Sequence, residues 1–372
     1  MTRHRWGVGA GVWLTLIVPI FVAGAWGQSD VNGRVDTVVG ADMREQQIPG
    51  LGLAVLRDGK MVKTKGYGLA NVELNVAVKP GTVFQTGSVG KQFTATAVMM
   101  LVEEGKVGLD DNLSKYLAGT PPGWKDVTVR HLLTHTSGIA DYADADNVKA
   151  GALINLRGDY TEKELYEKLV QLPLQFEPGT KWKYSNSGYV LLGVLIHKVT
   201  GEFYGDFLQE RIFRPLGMSA TRIISERDIV ANRASGYELV KGEIKNQEWV
   251  SPTLNTTADG ALYTNVLDLG KWDAALYTEK LVKKASLAQM WTPVKLKDGK
   301  TAPYGFGWFL NEVNGHRLIE HDGAWQGFTM TISRYVDDGL TVVVMTNLDA
   351  EHSEPANIAH VVAGIYLASR AK

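Results

Sequence analysis

The rhythm of apolar and polar positions changes along this chain, and each change marks an element. Val35, Val38, Val39 and Met43 recur at helical spacing over residues 31–43, and Pro49-Gly50 marks the stop. Residues 51–56 then read as a strand, Arg57-Asp58-Gly59-Lys60 as a turn and residues 61–67 as the returning strand, a hairpin supported by its Asp-Gly pair. From Phe93 through Ala95 and Ala97 to Val102 the chain is almost unbrokenly apolar, which predicts a buried helix starting at Ser88.

The middle of the chain keeps the helical rhythm. Thr128 caps a segment that ends near Gly138, and residues 161–172 form another behind Thr161. Residues 187–200, closed by Gly201, 203–213 and 268–277 complete this set. Residues 140–146 and 238–257 are turn-rich and read as surface loops. The last quarter returns to strands over 304–312, 317–321, 327–334 and 340–347, with turns at Asn314-Gly315 and Asp338-Gly339, before a terminal helix over 354–369. Strands at both ends and helices between them predict an α+β fold. Both chain ends build one antiparallel sheet flanked by helices, with a mostly helical lobe inserted. The α/β lobe spans about 28–90 and 300–372 and the helical lobe about 91–299, with the site expected at their seam.

Composition narrows the function classes. A chain of 372 residues with 45% hydrophobic and 21% charged content can bury a large core. A net charge of −1 without a basic stripe argues against nucleic-acid binding, and the absence of cysteine removes disulfide and thiolate chemistry. The first residues have the order of a secretory signal: basic Arg3, His4 and Arg5, an apolar stretch over 8–22, then small residues before Gln28. Cleavage after Ala25 or Gly27 would make residues 1–27 a signal peptide and the protein secreted or periplasmic. Residues 8–26 also nearly reach the length of a membrane anchor, so any membrane contact would come through this segment left uncleaved.

Candidate chemistry starts at Ser88 and Lys91, three residues apart and so on one face of a helix. A lysine in apolar surroundings loses proton affinity, and its neutral amine can take the proton of a serine hydroxyl. A helix start also presents N–H groups to an oxyanion. The same pair fits an N-cap serine and a lysine reaching out to water, and a copy of the spacing at Ser369 to Lys372 falls at the C-terminus by chance. Tyr184-Ser185-Asn186 offers a phenol whose ionised form a nearby ammonium would favour, and an amide to orient the lysine or a substrate carbonyl. A packed tyrosine at a helix start is the plain alternative, and Tyr263-Thr264-Asn265 repeats the pattern at a strand end. His321-Asp322-Gly323-Ala324 closes a strand: Gly323 permits close approach of a substrate, the N–H of Ala324 can face an oxyanion, and His321 can move protons or meet a substrate carboxylate. A histidine in a strand-terminal turn is the plain reading there, and Lys297-Asp298-Gly299 is a weaker rival. His131 and His135 lie four apart, but no third ligand accompanies them, so neither metal nor cofactor is expected. The Gly-x-Ser-x-Gly elbow is missing, with Thr86 where the first glycine belongs.

In this order the motifs resemble the serine β-lactamase and penicillin-binding-protein superfamily, in its branch of class C β-lactamases, DD-peptidases and esterases. Ser88-Val89-Gly90-Lys91 is similar to the first motif, Tyr184-Ser185-Asn186 to the second and His321-Asp322-Gly323 to the third. Side signatures agree: the run from His131 to Gly138, Phe176-Glu177-Pro178-Gly179, Pro215-Leu216-Gly217-Met218 and Tyr304-Gly305-Phe306-Gly307-Trp308. The resemblance implies a β-lactamase/transpeptidase-like fold and acyl transfer through Ser88. Lys91 and Tyr184 would handle the proton, Ser88 and Ala324 would hold the oxyanion, and Asn186, His321 and Gly323 would line the substrate site. The third motif departs from the Lys-Thr-Gly of class C β-lactamases and is similar to that of some DD-peptidases, D-aminopeptidases and esterase-like relatives. The substrate is then a small molecule or short peptide: a D-amino-acid peptide, a small ester or a β-lactam. The other readings are a penicillin-binding or sensor module that acylates without turnover, and a non-catalytic scaffold.

Overall fold

The computed structural model describes residues 28–144, 153–223 and 227–369, so the segment read as a signal peptide lies outside the described residues. Helix α1 (Gln28–Glu45) leads into strands β1 (Gly50–Arg57), β2 (Lys60–Asn71) and the short β3 (Val76–Ala77). Next come helices α2 (Lys91–Glu103), α3 (Asn186–Thr200) and α4 (Val266–Ala275). Strands β4 (Phe309–Val313), β5 (His316–Trp325), β6 (Phe328–Tyr335) and β7 (Leu340–Thr346) follow, and α5 (Pro355–Ala368) ends the described chain. The strands form one seven-stranded antiparallel sheet in the order β4-β5-β6-β7-β1-β2-β3. The chain ends meet where β1 pairs with β7, Leu53 opposite Val344. The α+β fold with its sheet shared by both ends is therefore as the apolar pattern predicts.

This sheet is covered on both faces, and its central strands show how. In β1, Leu51, Leu53 and Val55 face Val35 and Val39 of α1 and Ile358 and Val362 of α5. Ala54 and Leu56 point the other way, into the core shared with α2, α3 and α4. Strand β7 divides in the same way, with Leu340, Val342 and Val344 on the first face and Val343 and Met345 on the second. Strict alternation of direction combined with cover on both sides produces a continuous apolar run. Helix α2 is enclosed by this second core: every residue from Lys91 to Leu101 is buried. Phe93 stacks at 4.3 Å on Trp272 of α4, and the Trp272 indole N–H donates to Gln92 Oε1 at 3.0 Å.

Several boundaries differ from the sequence reading. A 3₁₀ turn over Gly87–Gly90 carries Ser88, entered through Gly87 at φ +52°, and α2 begins only at Lys91. Residues 238–257 are not all loop: Tyr237–Val240 and Glu243–Asn246 form a hairpin across Lys241-Gly242, both at positive φ. The strand expected over 304–312 starts only at Phe309, after Gly307 at φ +77°. Asn265 caps α4 through a bond from Asp268 N at 2.9 Å, and Tyr263-Thr264 pairs with Phe84-Gln85, so the second Tyr-x-Asn copy is structural.

That pairing ties α4 to the residues just ahead of Ser88, and a buried ion pair fixes α4 to the sheet. Arg334 Nε of β6 donates to Asp273 Oδ1 at 2.6 Å, and Thr341 Oγ1 of β7 donates to the same oxygen at 2.8 Å. Both charges are fully buried, and the guanidinium lies 5.0 Å and 5.2 Å from the ring centres of Tyr277 and Trp291. Removing one member leaves the other charged and dry. Asp273→Ala is expected to destabilise the protein by about 3–5 kcal/mol in urea denaturation. A loss below about 1 kcal/mol would show that the pair does not anchor α4.

Candidate active site

Three segments touch at the backbone around Ser88, and glycine makes each approach possible. A Cβ on Gly323 would fall 1.9 Å from the Thr86 carbonyl oxygen, one on Gly87 2.4 Å from Ala324 N, and one on Gly260 2.7 Å from the Gly87 carbonyl carbon. Gly323 and Ala324 lie in the last residues of β5, inside the ladder, with Gly323 opposite Met330 and Ala324 opposite Thr329. The glycine leaves the ladder intact and makes room for the turn that carries Ser88. Ser88 and Ala324 both line a cleft of about 60 Å³, with Asn186, Tyr142, Asp259 and Trp325 among its other walls.

Lys91 is fully buried, and its Nζ lies 2.9 Å from Ser88 Oγ, 2.7 Å from Asn186 Oδ1 and 2.5 Å from the Asp259 carbonyl oxygen. Asn186 is held in turn: its N and Nδ2 both donate to Asp141 Oδ2, at 3.1 and 3.0 Å, which turns its Oδ1 toward the lysine. Burial lowers the lysine pKa to about 8, against the opposing pull of Asp259 and Asp141. A neutral amine has two hydrogens and a lone pair. Asn186 Oδ1 and the Asp259 carbonyl can only accept, so they take the two hydrogens, and the lone pair is left for the Ser88 hydroxyl.

Tyr184 stands beside this pair, its ring centre 4.8 Å from Lys91 Nζ. Burial pushes its phenol well above 10, and although the neighbouring Ser88 hydroxyl pulls the other way, burial wins. The expectation of a phenolate favoured by the lysine is thereby corrected: Tyr184 is a neutral phenol, its hydroxyl buried without a hydrogen bond of ordinary geometry.

His321 departs from its expected place. It is 1% exposed and absent from the cleft wall; its Nδ1 lies 2.6 Å from the Asp322 carbonyl and its Nε2 2.9 Å from Tyr304 Oη. The carbonyl can only accept, so Nδ1 carries the proton and Nε2 accepts from the tyrosine. Burial, and then the charge of Lys91, lower its pKa to about 3. A neutral, fully engaged imidazole neither shuttles protons nor meets a substrate carboxylate, so its place is structural. The rival Lys297-Asp298-Gly299 lies away from the site, with Lys297 N bonded to the Gly179 carbonyl.

Sequence reasoning missed Tyr142, Asp141 and Asp259, which come from tracts without periodicity. It also missed what His135 does. His135 is buried at φ +58°, accepts from Ser185 N on Nδ1 at 3.1 Å and from Lys183 N on its carbonyl at 3.0 Å, and stacks 4.2 Å from Tyr184. It thus grips both neighbours of Tyr184 and the ring itself. His131, its supposed metal partner, instead closes a capping box with Thr128.

Residues 35–366 match the family described as Beta-lactamase. The chain belongs to that family. It is a serine hydrolase of the serine β-lactamase and penicillin-binding-protein superfamily. Among its relatives is Penicillin-binding protein 4* of Bacillus subtilis, 33% identical over 79% of this chain and 67% of the relative. A D-aminopeptidase of Gluconobacter oxydans is 28% identical over 88% of this chain and 60% of the relative. The chain thus spans about two thirds of the length of these curated relatives. An octameric penicillin-binding protein homologue from Pyrococcus abyssi superposes with a TM-score of 0.79 at 31% identity, over 91% of this chain and 77% of that one.

If His135 acts by placing Tyr184, His135→Ala should lower the hydrolytic rate roughly tenfold to a hundredfold, the usual effect of misplacing a reacting group. His135→Asn should retain more, since asparagine tolerates positive φ and keeps an acceptor. In a Tyr184→Phe background the alanine change should add less than about threefold. Full additivity in that double-mutant cycle would mean His135 acts only on folding.

Proposed function

We propose that this protein cleaves a small amide or ester through an acyl-enzyme on Ser88. The observation that carries the reading is the position of Lys91 Nζ, 2.9 Å from Ser88 Oγ and within hydrogen-bond reach of Asn186 Oδ1 and the Asp259 carbonyl; in the neutral amine these two acceptors take the hydrogens and leave the lone pair to Ser88. Ser88 Oγ bonds to the substrate carbonyl carbon as its proton passes to Lys91 Nζ. The N–H groups of Ser88 and Ala324 receive the oxyanion. The tetrahedral species collapses, the bond to the leaving amine or alcohol breaks, and the leaving group takes the proton from Lys91 with the Tyr184 hydroxyl as relay. Water then attacks the acyl carbon, gives its proton back through the same groups, and releases the acid and Ser88. D-Amino-acid peptides or amides, short esters and β-lactams are the substrate classes this machinery fits. The basic, apolar and small-residue order of residues 3–27 supports export; N-terminal sequencing of the mature protein from a cell-envelope fraction tests it, and a start before residue 20 would reject it.

A second reading is favoured by one feature: the phenol of Tyr184 is held protonated, which leaves less basicity for activating the deacylating water. A penicillin adduct on Ser88 that persists for hours in intact-mass spectra would mark a module that stays acylated.

Two measurements decide the main reading. Ser88→Ala should lose at least about a thousandfold in turnover of p-nitrophenyl acetate, nitrocefin or D-alanyl peptides, whichever the wild type accepts. It should also lose the covalent adduct; unchanged turnover would reject the mechanism. The pH dependence has a defined sign. The neutral amine is the working form, so kcat/KM should fall about tenfold per pH unit below about 8 and level off above it. A flat profile from pH 6 to 9 would show that Lys91 is not the base.

A further inference from the structure

The charges around the Ser88 cleft point to one kind of substrate, and this inference rests on the acyl-transfer reading above. Asp259 is a wall of the cleft and 8% exposed. Its Oδ2 accepts from the Tyr142 hydroxyl at 2.7 Å, while its Oδ1 accepts no hydrogen bond among the described residues. Its backbone carbonyl accepts from Lys91 Nζ, and the residue shares the cleft wall with Ser88. No arginine, lysine or histidine is among the described residues lining the cleft. Lys91 beneath it is engaged at Ser88 Oγ, Asn186 Oδ1 and the Asp259 carbonyl, and His321 is buried, neutral and bonded at both nitrogens. A substrate carboxylate therefore finds no cation on the cleft wall, Lys91 below it being already engaged, and an ammonium finds a half-satisfied carboxylate held by a tyrosine in dry surroundings.

We infer that the cleft selects acyl donors bearing a protonated amine near the scissile carbonyl and lacking a free carboxylate, with Asp259 receiving the amine. Amides or esters of amino acids with a free α-amino group belong to this class. Peptides ending in a free carboxylate beside the scissile bond, and β-lactams with their ring carboxylate, do not.

Matched p-nitroanilides test it, since they share one scissile bond and one leaving group: alanine p-nitroanilide, its N-acetyl derivative and its N-succinyl derivative, each in both enantiomers. At pH 7 the free amine should exceed the N-acetyl compound at least about tenfold in kcat/KM, with the anionic succinyl compound lowest. Added salt should shrink that ratio. Asp259→Asn should reduce it to below about threefold, mainly through KM. The ratio is taken within each enzyme, so any effect of the substitution on Lys91 cancels. Ser88-dependent hydrolysis of p-nitrophenyl acetate with no ammonium preference in the wild type would overturn this inference and leave the acyl-transfer reading standing. A preference that persists in Asp259→Asn would overturn the assignment to Asp259. Absence of Ser88-dependent hydrolysis of every one of these substrates would overturn both.

Discussion

Everything at this site depends on keeping one amine dry. Lys91 lies inside a helix whose first eleven residues are all buried, and a primary amine in such a place is costly unless its hydrogens find acceptors. Asn186 and the carbonyl of Asp259, from two distant parts of the chain, supply them, and Ser88 one turn away faces the same nitrogen. Loss of water lowers the basicity of the amine to a range where it can exchange protons near neutrality, while Asp141 and Asp259 keep it from falling further. Desolvation and attraction are thus set against each other at one atom, and the reactivity proposed for Ser88 rests on the balance.

Around the amine the structure holds its other polar groups neutral. Tyr184, Tyr304, His135 and His321 form an aromatic shell in which burial disfavours every charged form. A charge appearing on the substrate oxygen would therefore be answered mainly by fixed N–H groups and by the lysine itself. The shell carries a cost: the Tyr184 hydroxyl and His135 Nε2 are buried without a hydrogen bond. Unsatisfied groups of this kind, gathered beside the candidate nucleophile, are where a protein departs from rules it follows elsewhere.

Backbone contact, more than side-chain contact, assembles the cleft. Gly87 against Ala324, Gly260 against Gly87 and Gly323 against Thr86 approach to distances no Cβ would permit. Helix α4 brings the segment before it against Phe84-Gln85, and the buried Arg334–Asp273 pair locks that helix to β6 and β7. The rigid sheet thus reaches the turn of Ser88 from two sides, which suits a reaction that tolerates little misplacement of its groups.

Local patterning made much of this legible. The both-faced strands β1 and β7, the buried helix α2 and the caps at Thr128 and Thr161 follow from periodicity and from side chains acting on their near neighbours. The order of Ser88, Lys91, Tyr184 and Asn186 was readable as candidate chemistry for the same reason: these residues sit in short segments with a recognisable form. Protonation states were not readable, because they depend on burial by residues far away in sequence. His321 looked like a proton carrier until Tyr304 and the Asp322 carbonyl occupied both its nitrogens, and Tyr184 looked ionisable until its burial was known. Asp141, Tyr142 and Asp259 belong to loops without rhythm, and only the folded chain brings them to the serine. The chain alone determined the sheet, its helices and the pairing of Ser88 with Lys91, since those rest on local spacing. Tertiary structure decided which groups carry charge, because that depends on which atoms lose their water.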